Sequence, residues 1–392
     1  MRISLVGPFG LHPNKTMSSR AFGLARPLAQ AGHEVCLFMP PWQTPDEGDR
    51  RWQQEGVDFR YTPVTGGKLG IARRLIQETL AWKPDIVHCF KPKAYSGLVA
   101  WWLWNFARQR VRLVVDSDDW EGWGGWNDRA LYSSSQKHFF SWQERWGMSH
   151  CHQLTVASRA LQSIAWSHGL ERDKVVYLPN GTGLSTRENP VGEEEIAAKR
   201  QLLGVENRPV LLLYSRLFEF DTSRLAKILV AVKQAVPDVA ILSIGEGLFA
   251  EDAVQLSEEL AEADVLSALI DLGWTDQEEL PLLLRCADVA IYLMDDTLLN
   301  RTKCPAKLAD LVSLGVPVVA EAVGQVPEYV VNGRNGLLSV SGDVAGIISH
   351  CVSLLRDQAE RTRMAEEARA HYDENFSWDL LAGRLLQTYE QA

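Results

Sequence analysis

The densest grouping of chemically capable side chains is Lys303-Cys304-Pro305-Ala306-Lys307-Leu308-Ala309-Asp310, ahead of an apolar run at 314–319. Pro305 suits the first turn of a helix, where free backbone N–H groups attract an anion. Lys307 and Asp310 then fall three apart on that helix, with Lys303 just ahead of the same stripe. Two cations at a helix N-terminus suit a diphosphate, and a carboxylate one turn further in suits ribose hydroxyls. The same spacing also describes a capped surface helix with an intrahelical Lys–Asp pair. Ser215-Arg216-Leu217 follows the apolar run 210–214, so Arg216 stands at a strand's carboxyl end, where a guanidinium can hold a departing phosphate in bidentate fashion. An ordinary surface arginine in a strand-to-helix loop reads the same way. Asp116-Ser117-Asp118-Asp119-Trp120 follows the run 112–115 and offers carboxylates to sugar hydroxyls, a cation or a metal, or to the cap of the next segment. Gly7 and Gly10 follow the first strand without completing GxGxxG, which counts against an ordinary NAD-dependent dehydrogenase.

These groups need strands to carry them. Short β-branched runs alternate with helix-length amphipathic runs, the pattern of an α/β chain with parallel sheets. Strands are expected at 3–6, 35–38, 85–89, 112–115, 154–156 and 175–178, with a helix at 18–31 stopped by Gly32. The pattern breaks at 180–208 and resumes with strands at 210–214, 239–244, 266–271, 289–293 and 317–320. Two doubly wound units in series follow, with ligands expected at the strands' carboxyl ends in a cleft between them.

The 392 residues suffice for two sizeable cores, and the composition, 46% hydrophobic and 23% charged, excludes a disordered or fibrous chain. The net charge of −10 hides a division. Residues 1–185 hold 22 Lys and Arg against 16 Asp and Glu, whereas the remainder holds 18 against 34. Tryptophan is concentrated in the basic half, with 12 of 14. An acidic chain without a recognition motif disfavours nucleic acid as a partner. Cys36, Cys89, Cys151, Cys286, Cys304 and Cys351 form no CxxC pair, so neither a zinc site nor a disulfide framework is expected. The opening residues turn to Pro and Gly too soon for a signal-peptide core, and the longest uncharged apolar run, 94–107, is too short to span a bilayer. A cytoplasmic location is expected, with the inner membrane face as a place of contact.

Trp101-Trp102-Leu103-Trp104 leads into Arg108, Arg110 and Arg112, which suits either a membrane interface or, better, a helix with one face in the core. Trp120, Trp123 and Trp126 are interleaved with Gly122, Gly124 and Gly125, and are expected to form a flexible aromatic loop that binds the acceptor.

Taken in order, the motifs resemble those of the group-1 glycosyltransferases, the large family 4 with the GT-B fold of two Rossmann-like domains facing each other across a cleft. Leu28-Ala29-Gln30-Ala31-Gly32-His33-Glu34-Val35, Lys83-Pro84-Asp85-Ile86-Val87-His88 and Val176-Tyr177-Leu178-Pro179-Asn180-Gly181 are similar to the family's first-domain blocks. Ser215-Arg216-Leu217, Ile244-Gly245-Glu246-Gly247, Leu272-Gly273-Trp274 and Gly315-Val316-Pro317 are similar to its second-domain blocks. The resemblance implies an acceptor-side domain over 1–185, a linker over 186–208 with hinge motion, a nucleotide-sugar domain over 209–374 and a C-terminal helix, 375–392, crossing back to the first domain. It implies a retaining hexosyltransferase that moves a sugar from a UDP- or GDP-linked donor to a sugar, lipid-linked or other small acceptor, in polysaccharide or glycoconjugate biosynthesis. Arg216, Lys303, Lys307 and Asp118 would carry catalysis. Asp310, Trp274, Gly245, Gly10 and Thr302 would hold the donor, and Trp120, Trp123, Trp126 and His88 the acceptor. No cofactor or metal beyond the donor is expected, since protein cations can balance the diphosphate. Thr302 stands where the family has the first Glu of its pair, and Asp221 near its usual phosphate-binding Lys. These departures keep two other readings open: a catalytically silent partner of an active transferase, or an epimerase or phosphorylase on the same scaffold.

Overall fold

The computed structural model describes residues 1–13, 16–184 and 191–392 and resolves them into two compact units. The first comprises Met1–Gly181, Arg301–Cys304 and Ser377–Ala392, and the second Thr182–Asn300 and Pro305–Phe376.

The first unit is built on an eight-stranded sheet: β1 (Arg2–Val6), β2 (Glu34–Met39), β3 (Arg51–Gln54), β4 (Val57–Tyr61), β5 (Ile86–Phe90), β6 (Arg112–Ser117), β7 (Gln153–Val156) and β8 (Val175–Tyr177). The order is β3-β4-β2-β1-β5-β6-β7-β8, parallel throughout except for the β3–β4 hairpin. β5 is apolar and fully buried, as a strand covered by helices on both faces must be. Of the hairpin, β3 escapes the sequence pattern because Arg51–Gln54 is polar apart from Trp52 and lies at the sheet edge, whereas β4 alternates buried Val57, Phe59 and Tyr61 with polar residues and is legible in the chain.

The second unit carries β9 (Val210–Tyr214), β10 (Ala240–Ile244), β11 (Leu269–Asp271), β12 (Val289–Tyr292), β13 (Val318–Glu321) and β14 (Gly336–Ser339), all parallel, in the order β11-β10-β9-β12-β13-β14. In each unit the first strand sits where the strand order reverses, β1 between β2 and β5 and β9 between β10 and β12. This geometry opens a crevice at the carboxyl ends of those strands.

Four boundaries differ from expectation. The strand expected at 266–271 is a 3-10 turn, Leu266–Ala268, followed by β11. The helix expected at 18–31 is a π-helical segment, Thr16–Ala21, followed by the α-helix Phe22–Gln30. Of the expected linker, residues 186–190 lie outside the described residues. From Glu193 the chain is a helix of the second unit, Glu193–Leu202, with three Glu in its first turn and Lys199 and Arg200 in its last, the charge order that the helix dipole favours. Strand β6 runs on to Ser117, so Asp116 belongs to the sheet rather than to the loop after it.

The last helix, Trp378–Gln391, belongs to the first unit, where Trp378, Leu381, Leu385 and Tyr389 share a core with Leu24 and Leu28. Gly23 makes this packing possible, because a Cβ there would lie 2.5 Å from the Trp378 ring. Among the described residues no helix is long and apolar enough to cross a membrane.

Candidate functional site

The second unit gathers its polar side chains at the carboxyl ends of β9, β10 and β12. A small pocket there is lined by Ser215, Arg216, Glu219, Tyr292 and Lys307. Ser215-Arg216-Leu217 turns sharply out of β9: Leu217 has φ +60, and its N–H bonds back to the Ser215 hydroxyl at 3.0 Å. A left-handed leucine is a strained residue, held here by the surrounding turn. Gly245 ends β10 with φ +112, and a Cβ there would lie 2.4 Å from the Ser215 carbonyl oxygen and 3.5 Å from Lys307 Nζ. Only glycine lets the two strand ends approach so closely.

Lys307 comes from the helix Ala306–Leu314, in which Pro305 takes the N-cap position rather than the first turn. Its ammonium lies 4.1 Å over the Tyr214 ring. Burial pulls its pKa down to about 8, Arg216 acts in the same direction, and Glu219 and Asp310 oppose them. Arg216 is exposed, with its guanidinium 5.7 Å from the Phe218 ring. Neither cation has an ion pair among the described residues.

Asp310 lies one turn beyond Lys307 and is buried. Its Oδ1 accepts from the Thr182 hydroxyl at 2.6 Å and the Gly183 N–H at 3.3 Å, and its Oδ2 from the Tyr214 hydroxyl at 3.3 Å. Burial lifts its pKa to about 6 against those donors. The carboxylate is therefore already held by protein donors. Asp221 caps the helix Thr222–Ala235 by accepting from the Ser223 N–H at 2.9 Å, which gives the residue a local structural role. Trp274 follows Gly273, whose φ is +58, and is 66% exposed.

At the carboxyl ends of β5 and β6 the first unit builds a closed ionic network. Arg20 pairs with Asp116 through two bonds, Nε to Oδ1 at 2.8 Å and a terminal nitrogen to Oδ2 at 2.6 Å, with both groups buried. Lys91, in a left-handed conformation, reaches Asp118, Asp119 and Glu121 at 3.3, 3.2 and 3.3 Å. Lys93 pairs with Glu121, and Thr16 donates to Asp118 at 2.8 Å. Burial raises the Asp118 pKa, whereas Lys91 and then Lys303 hold that of Asp119 below the usual range despite its burial.

The remaining expected residues divide. Lys303 and Lys307 belong to different units, and Lys303 sits 5.3 Å over the Trp126 ring in the first. Thr302 is fully buried, its carbonyl accepting from Ser158 at 2.7 Å. Gly10 lies against Tyr61 and Pro41 in the first unit. His88 has no exposed surface and bonds Tyr389 at 2.8 Å and Thr155 at 3.1 Å, so burial drives its pKa down to about 4. A neutral, enclosed imidazole holds the C-terminal helix to the sheet; no surface is left on it for an acceptor. The tryptophan loop is packed, not loose. Trp120 is buried with its indole donating to the Trp123 carbonyl at 2.8 Å, and a Cβ on Gly122 or Gly125 would lie 2.3 Å from its ring or 2.1 Å from its carbonyl oxygen. The glycines therefore answer to steric need. Sequence reasoning missed Tyr214, Glu219 and Lys91; each is a single polar residue at or just beyond a strand end, a position that the strand pattern alone could have marked.

This architecture has known counterparts. The Glycosyl transferase 4-like domain family matches residues 16–181, and the Glycosyl transferases group 1 family matches residues 208–357. The glycogen synthase of Mycobacterium tuberculosis is 25% identical over 325 residues, 82% of this chain and 72% of that protein. A GDP-mannose-dependent monoacylated alpha-(1-6)-phosphatidylinositol monomannoside mannosyltransferase of Corynebacterium glutamicum is 27% identical over 218 residues, 53% of this chain and 54% of that one. Anabaena HepE, solved in complex with UDP and glucose, superposes with a TM-score of 0.74 at 19% identity, covering 100% of this chain and 99% of that one. Two Rossmann-like units, each matched by its own family, make the chain a member of the group-1 (family 4) glycosyltransferases with the GT-B fold.

Proposed function

We propose that this glycosyltransferase binds a nucleotide-sugar donor in its second unit, with the diphosphate at Arg216 and Lys307, and transfers the sugar to an acceptor held by the first unit with retention of anomeric configuration. The observation that carries the reading is the pair of cations that make no ion pair among the described residues, at the ends of β9 and the helix Ala306–Leu314. A guanidinium and an ammonium set against the single carboxylate, Glu219, that lines the same pocket are suited to a group that arrives with negative charge and leaves with more of it. Fixed cations in a partly desolvated site stabilise the departing diphosphate without reorganising, so no metal is needed in this reading. Exposed Trp274, just beyond β11, takes the nucleobase in this reading, and its uncovered ring supports that role. A UDP- or GDP-linked donor is supported by HepE, solved with UDP and glucose, and by the relative named as GDP-mannose-dependent.

A thermal-shift screen against UDP, GDP, ADP and dTDP tests the donor assignment. One nucleotide should raise the melting temperature, and a hundredfold excess over its dissociation constant adds about 2.7 kcal/mol. Arg216→Ala should abolish that shift, and absence of any shift in the native chain would overturn the diphosphate assignment. The anomeric configuration of the first-formed product, read by NMR, decides between retention and inversion.

A further inference from the structure

A second concave site lies in the first unit, on the helix Ser134–Ser149; it takes in Trp123, expected above to hold the acceptor, and none of the residues assigned to the donor. His138, Trp142, Arg145 and Trp146 recur three and four apart and share one face of that helix. Trp123 and His168 close the other side of the groove, whose volume of about 470 Å3 is that of a small-ligand cleft.

The groove combines three properties. Its tryptophans are partly uncovered: Trp123 is 47% exposed, and Trp142, stacked on Phe139 at 5.8 Å, is 43% exposed, a large apolar area for two side chains to leave to solvent. Their orientation is set by neighbours, Trp123 edge-on to His138 at 5.3 Å and Trp142 tilted against Trp146 at 6.0 Å. The Arg145 guanidinium makes no hydrogen bond or ion pair among the described residues, and no carboxylate is among the residues that line the groove. Nearby acids are occupied elsewhere, Asp128 by the Gly124 N–H and Glu144 by Ser117. His168 stacks on Trp120, and its Nε2 is enclosed without a hydrogen-bond partner. A buried polar atom left unmatched beside an open groove is a place for a ligand's hydroxyl.

We propose that this groove binds an acidic saccharide, its ring faces lying on Trp142 and Trp123 and its carboxylate or phosphate on Arg145. Aromatic faces suit the C–H faces of a sugar ring, and a guanidinium takes an oxyanion through two parallel bonds. A lipid surface is the poorer match. It asks for a projecting apolar face flanked by several cations, whereas this site is a groove whose lining includes one guanidinium. The proposal goes beyond the transfer reading, since binding here requires neither donor nor turnover.

Tryptophan fluorescence titrations of the full chain test it, with an oligogalacturonate as the carboxylate probe, a phosphorylated maltotetraose as the phosphate probe, maltohexaose as the neutral control, and vesicles of mixed phosphatidylcholine and phosphatidylglycerol. At least one acidic saccharide should bind saturably and about tenfold more tightly than maltohexaose. Arg145→Ala should erase that preference, Arg145→Lys should keep part of it, and Trp142→Ala should weaken every saccharide by about tenfold. The melting temperature of Arg145→Ala should match the native chain, because the side chain has no partner to lose. Equal binding of neutral and acidic saccharides, binding of neither acidic probe, or binding of the anionic vesicles alone would each overturn the proposal. Loss of transfer in Arg216→Ala with saccharide binding intact would separate this site from the donor site.

Discussion

The two units place charge at their strand ends in opposite ways. At the ends of β5 and β6 the basic half pairs its cations internally: Arg20, Lys91 and Lys93 all meet carboxylates there. The acidic half leaves Arg216 and Lys307 without ion pairs among the described residues, beside a small pocket. Net charge per domain therefore misstates the charge a ligand meets. What matters is which groups the fold has already neutralised, since a buried bidentate pair exerts little field outside itself while an unpaired cation in a partly desolvated pocket exerts a large one.

This contrast can be broken from either side. Arg20→Ala leaves Asp116 buried without its partner and should cost about 3–5 kcal/mol in denaturant unfolding, with expression falling accordingly. Arg216→Ala should leave that stability nearly unchanged while turnover falls about a hundredfold, because the exposed guanidinium makes no ion pair among the described residues and only a long contact with the Phe218 ring. A loss of stability in Arg216→Ala equal to that in Arg20→Ala would erase the distinction between structural and functional cations.

A smaller effect should follow pH. Burial and Arg216 lower the Lys307 pKa to about 8, so in the free protein the ammonium loses its proton as pH rises through that value. A bound diphosphate favours the charged form, so nucleotide binding should weaken above pH 8 by up to about tenfold per unit, equivalent to about 1.4 kcal/mol. Calorimetric titration across this range should show the slope in the native chain and a flat profile in Lys307→Arg. The smallest expected effect is at Asp221. Replacing it with Ala should cost about 1 kcal/mol of stability through the lost helix cap and leave nucleotide affinity unchanged, and a change in affinity would return it to the phosphate site.

Much of this was legible in the chain. The apolar runs at 3–6 and 210–214 predict β1 and β9 because central parallel strands must be apolar on both faces, and the residues following 210–214 predict a strand-end arginine. Strand β3 was hidden because an edge strand can be polar, whereas the apolar alternation of β4, Val57, Phe59 and Tyr61, was there to be read. The role of Asp310 was hidden because its partners, Thr182, Gly183 and Tyr214, are up to 128 positions away. The glycines of 122–125 were read as freedom, whereas their function is to admit the Trp120 ring, which no local pattern records.

What the sequence determined by itself was the alternation of strand and helix, the division into two charged halves and the positions at which reactive side chains leave strands, all consequences of periodicity and local sterics. Only the tertiary structure decided which cations are neutralised and which remain available. Lys303 and Lys307 are four residues apart, yet one lies over Trp126 in the first unit and the other over Tyr214 in the second. Availability of a charge depends on what folding brings within a few ångströms of it, and those neighbours come from remote parts of the chain.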